Sequence, residues 1–409
     1  MSVQSAEQGS GRRIPELDGL RGMAILLVFM AHYLGGAGHI YLKPSIRHVL
    51  AIANLGWSGV DLFFVLSGFL IGGILLQVRH SEHYFKAFYM RRIFRILPVY
   101  YLWIVLYAAI VALGVAGGPN PFSLKARDFL QIPYQLLFLQ NFQFNLYPFQ
   151  MTWFLVTWSL AVEEQFYLFA PLLIRLLPDR KLIVFLISAI LAAPFLRFMA
   201  FRYWFPGSMA PVYLLPCRAD ALAMGVLLAV GWRSQSFHRF LHESRRLVQG
   251  VALVLIGGIC ASIRFMVGEP SLLRVVVGLS WLPALYACLL ILALSQSDGW
   301  VASIFRWNLL RSLGTISYCV YIIHLTLLLV AHRLILGAGP EFYNLKGAAV
   351  TAGAAAASIL LAMVSWRYYE KPLIKHGHAY RYAGSAEGKT HGAEVQANTR
   401  PPSTKTRNC

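Results

Sequence analysis

Arg21 and His32 form the first pair in the chain whose types and spacing suggest chemistry. Eleven steps of about 100° make three helical turns plus about 20°. On one helix the two side chains therefore share a face, roughly 16 Å apart along the axis. Asp18 precedes Arg21 by one turn, within pairing reach. A histidine inside an apolar run is a candidate general base, since an imidazole can take a proton from a hydroxyl near neutral pH. The same residues would also serve as a surface anchor followed by a packed ring.

Further along, Arg92 and Arg95 are spaced i, i+3 and share a face if that turn is helical. Guanidinium forks suit phosphate oxygens, although arginines at a span's end also fit plain membrane anchoring. Asp61 lies a turn into Gly59-Val-Asp-Leu-Phe-Phe-Val-Leu-Ser-Gly-Phe-Leu-Ile71. It could orient His32 as a carboxylate orients a catalytic imidazole, or simply favour its helix start. Glu163 and Glu164 sit mid-span, where acids are costly and functional by default. Neighbouring helix residues point about 100° apart, so one of the two faces a given site. Arg218 and Asp220 are two apart and cannot face each other, so each needs a partner on another element. Ser317, Tyr321 and His324 stack as a polar stripe, either an inward-facing site or an interhelical hydrogen-bond seam. No HExxH, P-loop, GxSxG or His/Cys cluster at metal spacing occurs, so no metal site is expected.

These residues need a scaffold, and composition says which kind. The chain has 409 residues, 58% hydrophobic and 13% charged, with a mean hydropathy of +0.59. Soluble domains carry about 25% charged residues, so the expected class is an all-α polytopic membrane protein. Apolar runs of spanning length fall near 17–35, 57–78, 93–115, 153–175, 182–201, 211–231, 247–264, 273–294, 313–336 and 347–367. That predicts about ten transmembrane helices. The shorter apolar stretch 129–142 contains Pro133 and reads as interfacial or re-entrant. The first run is too long for a cleaved signal and is expected to stay as a span.

The net charge of +19 is spread along segment ends and the tail, which fits anionic lipid and gives no nucleic-acid patch. Basic residues such as Arg12, Arg13, Arg79, Arg91, Arg180 and Arg233 favour an inside N-terminus, so both termini are expected to be cytoplasmic. Residues 1–13 are then a cytoplasmic segment and 14–375 the transmembrane domain. Residues 376–409, lacking apolar period, are expected to be a disordered tail. The five cysteines show no disulfide or zinc spacing. Sorted by depth, Asp18, Arg21, Arg92, Arg95 and Glu370 lie at inner helix ends. His32, Asp61, Glu163, Glu164, Arg218, Asp220 and His324 lie deeper, so the polar groups outline a path with two ends.

Taken together, Arg21-x10-His32, the Asp61 segment, Arg92-x-x-Arg95, Trp158-Ser-Leu-Ala-Val-Glu-Glu-Gln-Phe-Tyr167, Arg218-Ala-Asp220, Ser317-Tyr-Cys-Val-Tyr321-Ile-Ile-His324 and Glu370-Lys-Pro372 resemble the acyltransferase family 3 membrane proteins. The resemblance runs in order over roughly 14–375. It implies ten helices in the bacterial inner membrane and transfer of an acyl group, expected to be acetyl, from cytosolic acyl-CoA to a hydroxyl. The acceptor would be a saccharide or glycolipid of the cell envelope, such as lipopolysaccharide O-antigen. Acetyl-CoA would be a co-substrate, with no bound cofactor.

By position, Arg21, Arg92 and Arg95 would hold the coenzyme phosphates and His32 would be the base. Asp61 or Glu164 would orient it, and Tyr321 or Arg218 are candidate oxyanion donors. Asp18, Glu163, Asp220 and His324 complete the candidate set. Cys319 stands where a serine is commoner in the family. A fused SGNH esterase-like domain, found in some members after the last helix, is not expected here. The competing expectation is a transporter or flippase for a glycan or lipid intermediate, with the same polar groups conducting substrate. A structural or sensor protein is the third.

Overall fold

The computed structural model describes residues 14–35, 52–115, 126–146, 153–208, 210–266, 271–296, 299–340 and 344–382. They include ten long helices: α1 Pro15–Met30, α2 Gly59–Gln77, α3 Tyr84–Val115, α4 Trp158–Leu176, α5 Asp179–Met199, α6 Leu215–Trp232, α7 Arg245–Met266, α8 Leu279–Ser295, α9 Asn308–Leu336 and α10 Leu345–Ser365. One helix thus falls on every predicted span, and no strand occurs among the described residues. All but α4 lie in segments long and apolar enough to cross a bilayer. α4 has spanning length, but Glu163, Glu164, Gln165 and Arg175 lower its hydropathy.

Helix polarity shows that α4 nevertheless reverses the chain. Gly22 of α1 lies against Gly314 of α9, and His32, just past the end of α1, meets His324 of α9. Both contacts advance by ten residues, so α1 and α9 run parallel. Asp61 and Gly68 of α2 meet Arg218 and Gly225 of α6, again in equal steps, so this pair is also parallel. In an alternating bundle, odd helices share one direction and even helices the other only if α4 is counted as a crossing. The sequence expectation of ten spans is therefore consistent with the packing.

Both parallel pairs are close-packed seams. A Cβ on Gly22 would stand 1.8 Å from the Leu310 carbonyl oxygen, and one on Gly314 1.8 Å from that of Asp18. On the second seam a Cβ at Gly68 would stand 2.1 Å from the Leu222 oxygen, and one at Gly225 2.2 Å from that of Val65. Small residues let backbones touch where lipid supplies no hydrophobic drive between helices. Here backbone is the obstacle and cannot rotate away. Gly314→Ala is accordingly expected to cost about 3 kcal/mol or more, read as an earlier unfolding midpoint in SDS titration from mixed micelles. An unchanged midpoint would contradict the seam.

The opposite faces look outward. Leu247, Val251, Leu253 and Val254 on α7, Leu191 and Phe195 on α5, and Leu360 and Val364 on α10 are exposed. A soluble monomer rarely carries such contiguous apolar surface, and a lipid belt accounts for it. The protein is a multi-pass membrane protein.

The 129–142 stretch forms a 3-10 turn, Ala126–Gln131, and two short helices, Ile132–Leu136 and Gln140–Leu146. Gln135 and Gln140 are fully buried. Tyr100 of α3 donates to the Gln135 carbonyl at 3.1 Å, and Gln140 donates to the Thr157 carbonyl at 2.9 Å. Irregular backbone at this position is satisfied by protein, which fits a re-entrant element.

Residues 376–382, assigned by composition to the tail, pack on α3 instead. Arg91 donates to the Tyr380 carbonyl at 3.0 Å and stacks over the Tyr382 ring at 4.6 Å. Residues 1–13 and the tail from 383 lie outside the described residues.

Candidate active site

α1 opens with Pro15 at its first turn, where a missing N–H costs nothing. It runs as regular helix to Met30 and then widens into a π-turn, Ala31–Gly35, that carries His32. Such wide turns frequently mark functional sites. Gly22 fixes α1 against Gly314, and each helix then advances ten residues, about 15 Å, before its histidine. The equal spacing brings the rings together: His32 Nδ1 lies 3.0 Å from His324 Nε2. His324 Nδ1 is 2.8 Å from the Tyr321 carbonyl oxygen and 3.1 Å from that of Val320. His324 is fully buried, whereas His32 is half-buried.

A polar and aromatic collar holds this pair. Tyr33 donates to the His324 carbonyl at 2.9 Å and contacts the Ser358 hydroxyl of α10 at 3.1 Å. Phe29 stacks on Tyr33 with centroids 4.4 Å apart, and its ring also lies over His324. Tyr321, with its ring centroid 6.0 Å from that of His324, donates to the Val156 carbonyl at 2.8 Å and meets the Ser159 hydroxyl.

A second cluster forms toward the other end of α1. Arg21 pairs with Asp18 at 3.2 Å. It interacts electrostatically with Arg92 and Tyr167, and Arg95 does so with Arg21, Arg92, Tyr167 and Glu370. Three guanidinium groups from α1 and α3 therefore converge. Arg92 sits 5.9 Å from the centroids of both Phe88 and Tyr167, and its buried Nε has no hydrogen-bond partner among the described residues. Across from them Glu163 accepts from Ser67 of α2 at 2.7 Å, and Ser67 meets the Tyr167 hydroxyl at 3.0 Å. Ser159, Glu163 and Tyr167 are spaced four apart on α4, one above another. That face joins the arginine cluster to Tyr321 and the histidine pair.

Several expected partnerships differ. Asp61 does not orient His32: its carboxylate is ion-paired with Arg218, both wholly buried, with Arg218 also over the Phe64 and Trp158 rings. The geometric cause is register, since Asp61 faces α6 along the Gly68–Gly225 seam. Glu164 does not orient His32 either. It interacts electrostatically with Glu163, Arg92 and Tyr318, and its buried Oε1 has no hydrogen-bond partner among the described residues. Asp220 pairs with Arg197 of α5 at 3.0 Å and accepts from Ser280 of α8 at 2.6 Å. Arg197 also donates to the Cys217 and Val276 carbonyls. Arg218 and Asp220 thus each have a partner on another helix, as their spacing requires, but Arg218 is held away from any oxyanion role. Ser317 bonds back to the Gly314 carbonyl at 2.9 Å and takes no part in the stripe. Glu370 lies in another π-turn, Trp366–Glu370, and accepts from Ser365 at 2.9 Å.

Arg197, Ser67, Tyr167 and Ser159 were not singled out from the sequence. Arg197 carried a usable signal, a lone arginine inside the apolar run 182–201. Tyr167 and Ser159, four residues to either side of Glu163, carried another.

The fold and its polar interior define a multi-pass helical membrane protein whose arginine cluster and histidine pair are joined through the bundle. The family model described as "Acyltransferase domain" matches residues 14–367. The chain belongs to that acyltransferase family. It is 27% identical over 383 residues to "Putative peptidoglycan O-acetyltransferase YrhL" of Bacillus subtilis, covering 90% of this chain and 56% of that protein. It is 26% identical over 396 residues to "Peptidoglycan O-acetyltransferase OatA" of Listeria monocytogenes, covering 92% of this chain and 58% of that protein. The chain thus spans somewhat more than half the length of these curated relatives. No solved structure matches it significantly.

Proposed function

We propose that the protein is an integral O-acyltransferase of the bacterial cytoplasmic membrane, moving acetyl from acetyl-CoA to a hydroxyl of a cell-envelope glycan. The observation that carries the reading is the connection of a three-arginine cluster to a histidine pair through the Ser159–Glu163–Tyr167 face of α4. Arg21, Arg92 and Arg95 would take the coenzyme's phosphates at the cytoplasmic mouth, where clustered guanidinium charge needs an anion. The acyl thioester would reach inward along the polar face to His32.

His32 Nε2 takes the proton of the acceptor hydroxyl as its oxygen attacks the thioester carbon. The C–S bond then breaks, a C–O ester bond forms, and the proton passes to the leaving CoA thiolate. Tyr321, whose hydroxyl meets Ser159 and the Val156 carbonyl, is the hydroxyl that would turn to a developing oxyanion. The names of the relatives favour a peptidoglycan hydroxyl as the acceptor over a glycolipid. Both chain ends would face the cytoplasm. The acceptor and the bilayer are the expected partners.

The reading is tested by mass spectrometry of envelope glycans from wild-type cells, a deletion strain, and the deletion carrying His32→Ala. Loss of one acetyl mass in both mutants supports it, and an unchanged profile contradicts it. Proteoliposomes separate it from the transport reading, because a transporter releases no CoA thiol from acetyl-CoA.

The arginines make a separate prediction. Arg92→Lys or Arg95→Lys keeps the charge but loses the fork, and a charge-assisted hydrogen bond is worth about 1.5–3 kcal/mol. The KM for acetyl-CoA is expected to rise about tenfold or more, with kcat little changed, in thiol-release kinetics.

A further inference from the structure

We infer that His324 is the positioning residue for His32, fixing which ring nitrogen of His32 carries the proton. The inference rests on the proposed acyl transfer and adds the group that prepares its base.

The geometry leaves one consistent arrangement of protons. His324 Nδ1 lies within hydrogen-bond distance of two carbonyl oxygens, Tyr321 at 2.8 Å and Val320 at 3.1 Å. Carbonyls only accept, so Nδ1 carries the hydrogen. In a neutral imidazole the other nitrogen is then an acceptor. His324 Nε2 therefore accepts, and its partner at 3.0 Å, His32 Nδ1, donates. That leaves the lone pair of His32 on Nε2, away from α9. The groups facing the pair are Tyr33, Tyr321, Phe29, Ser358 and the Val28 carbonyl, which also accepts from the His32 ring, and no carboxylate or guanidinium forms an ion pair with either ring among the described residues. A buried imidazolium at His324 would be uncompensated, which supports the neutral form used here.

His324 itself is held from three sides. Its own helix takes the Nδ1 hydrogen, Tyr33 bonds its carbonyl, and Phe29 covers its face. A carboxylate does the corresponding orienting work in serine-protease triads, where losing the correct tautomer lowers kcat by about 10⁴-fold. Here a neutral imidazole replaces it. The site thereby gains an oriented base without adding a second charge inside the membrane.

The test is thiol-release kinetics in proteoliposomes with acetyl-CoA, a soluble chito-oligosaccharide as acceptor, and water as the background acceptor. His324→Leu removes the acceptor atom and is expected to lower kcat by about 10²–10⁴-fold, with KM for acetyl-CoA within twofold. His324→Gln can place an amide oxygen where Nε2 stood and is expected to restore kcat to within about tenfold of wild type. Size-exclusion profiles in detergent confirm that both variants fold. A folded His324→Leu retaining activity within threefold overturns the inference. So does a folded His324→Gln as inactive as His324→Leu. If His324→Leu alone does not fold, the KM–kcat split in His324→Gln and in His324→Asn, whose shorter amide cannot reach His32 Nδ1, decides. Equal kcat in those two overturns the inference. Wild-type protein releasing no thiol with either acceptor would instead refute the transferase reading itself.

Discussion

His32→Ala is expected to abolish acyl transfer, lowering kcat by about 10³-fold or more, while the protein still inserts and folds. A positioned general base contributes about 10²–10⁴-fold, and here the half-buried imidazole is held at Nδ1 against His324. Folding should survive because the tight seam lies ten residues away at Gly22, and Leu17, Leu20, Ala24, Ile25 and Val28 supply the buried face of α1. Thiol release from acetyl-CoA gives the rate, and the SDS-titration midpoint gives stability. Activity within tenfold of wild type would remove His32 from the chemistry and leave the arginine cluster without a reaction to serve.

Asp61→Ala is expected to be the most destabilising single change, costing about 3–5 kcal/mol. The charge it strands, Arg218, is 1% exposed and has Nε and Nη1 without other hydrogen-bond partners among the described residues. The double replacement Asp61→Leu with Arg218→Met removes both charges, and such apolar substitutions are often neutral or stabilising. The double variant should therefore recover a wild-type midpoint in SDS titration. It should also keep most of its activity, since Asp61 touches α6 and not His32. A well-folded but inactive double variant would return Asp61 to the catalytic set.

The sequence revealed the scaffold more fully than the pairings. Ten apolar runs became ten helices because spanning length and hydropathy are local properties, readable one segment at a time. Partner choice is a long-range property. The i, i+2 spacing of Arg218 and Asp220 showed that neither could satisfy the other, yet nothing local said that Asp61 and Arg197 would meet them. The approach of Asp61 to His32 failed for a related reason. Neighbouring spans need not face each other residue for residue, and α2 turns its acid toward α6. The arginine cluster was legible because Arg21, Arg92 and Arg95 share depth as well as charge sign. The histidine pair was half legible: both rings were candidates, but their contact depends on Gly22 and Gly314 standing equally far before them. Arg197 was overlooked because it lies near a span's end, where arginines are ordinarily anchors.

The parallel seams also set an order of biosynthesis. Chains fold from the N-terminal part first as they are made. When α6 leaves the ribosome, Asp61 and Arg197 are already in place, so both of its charges can be neutralised as soon as it inserts. Gly22 has no such early companion, since Gly314 and His324 arrive only with the ninth helix. The ion-paired half of the bundle is thus completed while the histidine half is still open. An unfinished chain has its membrane anchor but not the contact between its two histidines, which needs α9 and then the Ser358 hydroxyl of α10 to close the collar around it.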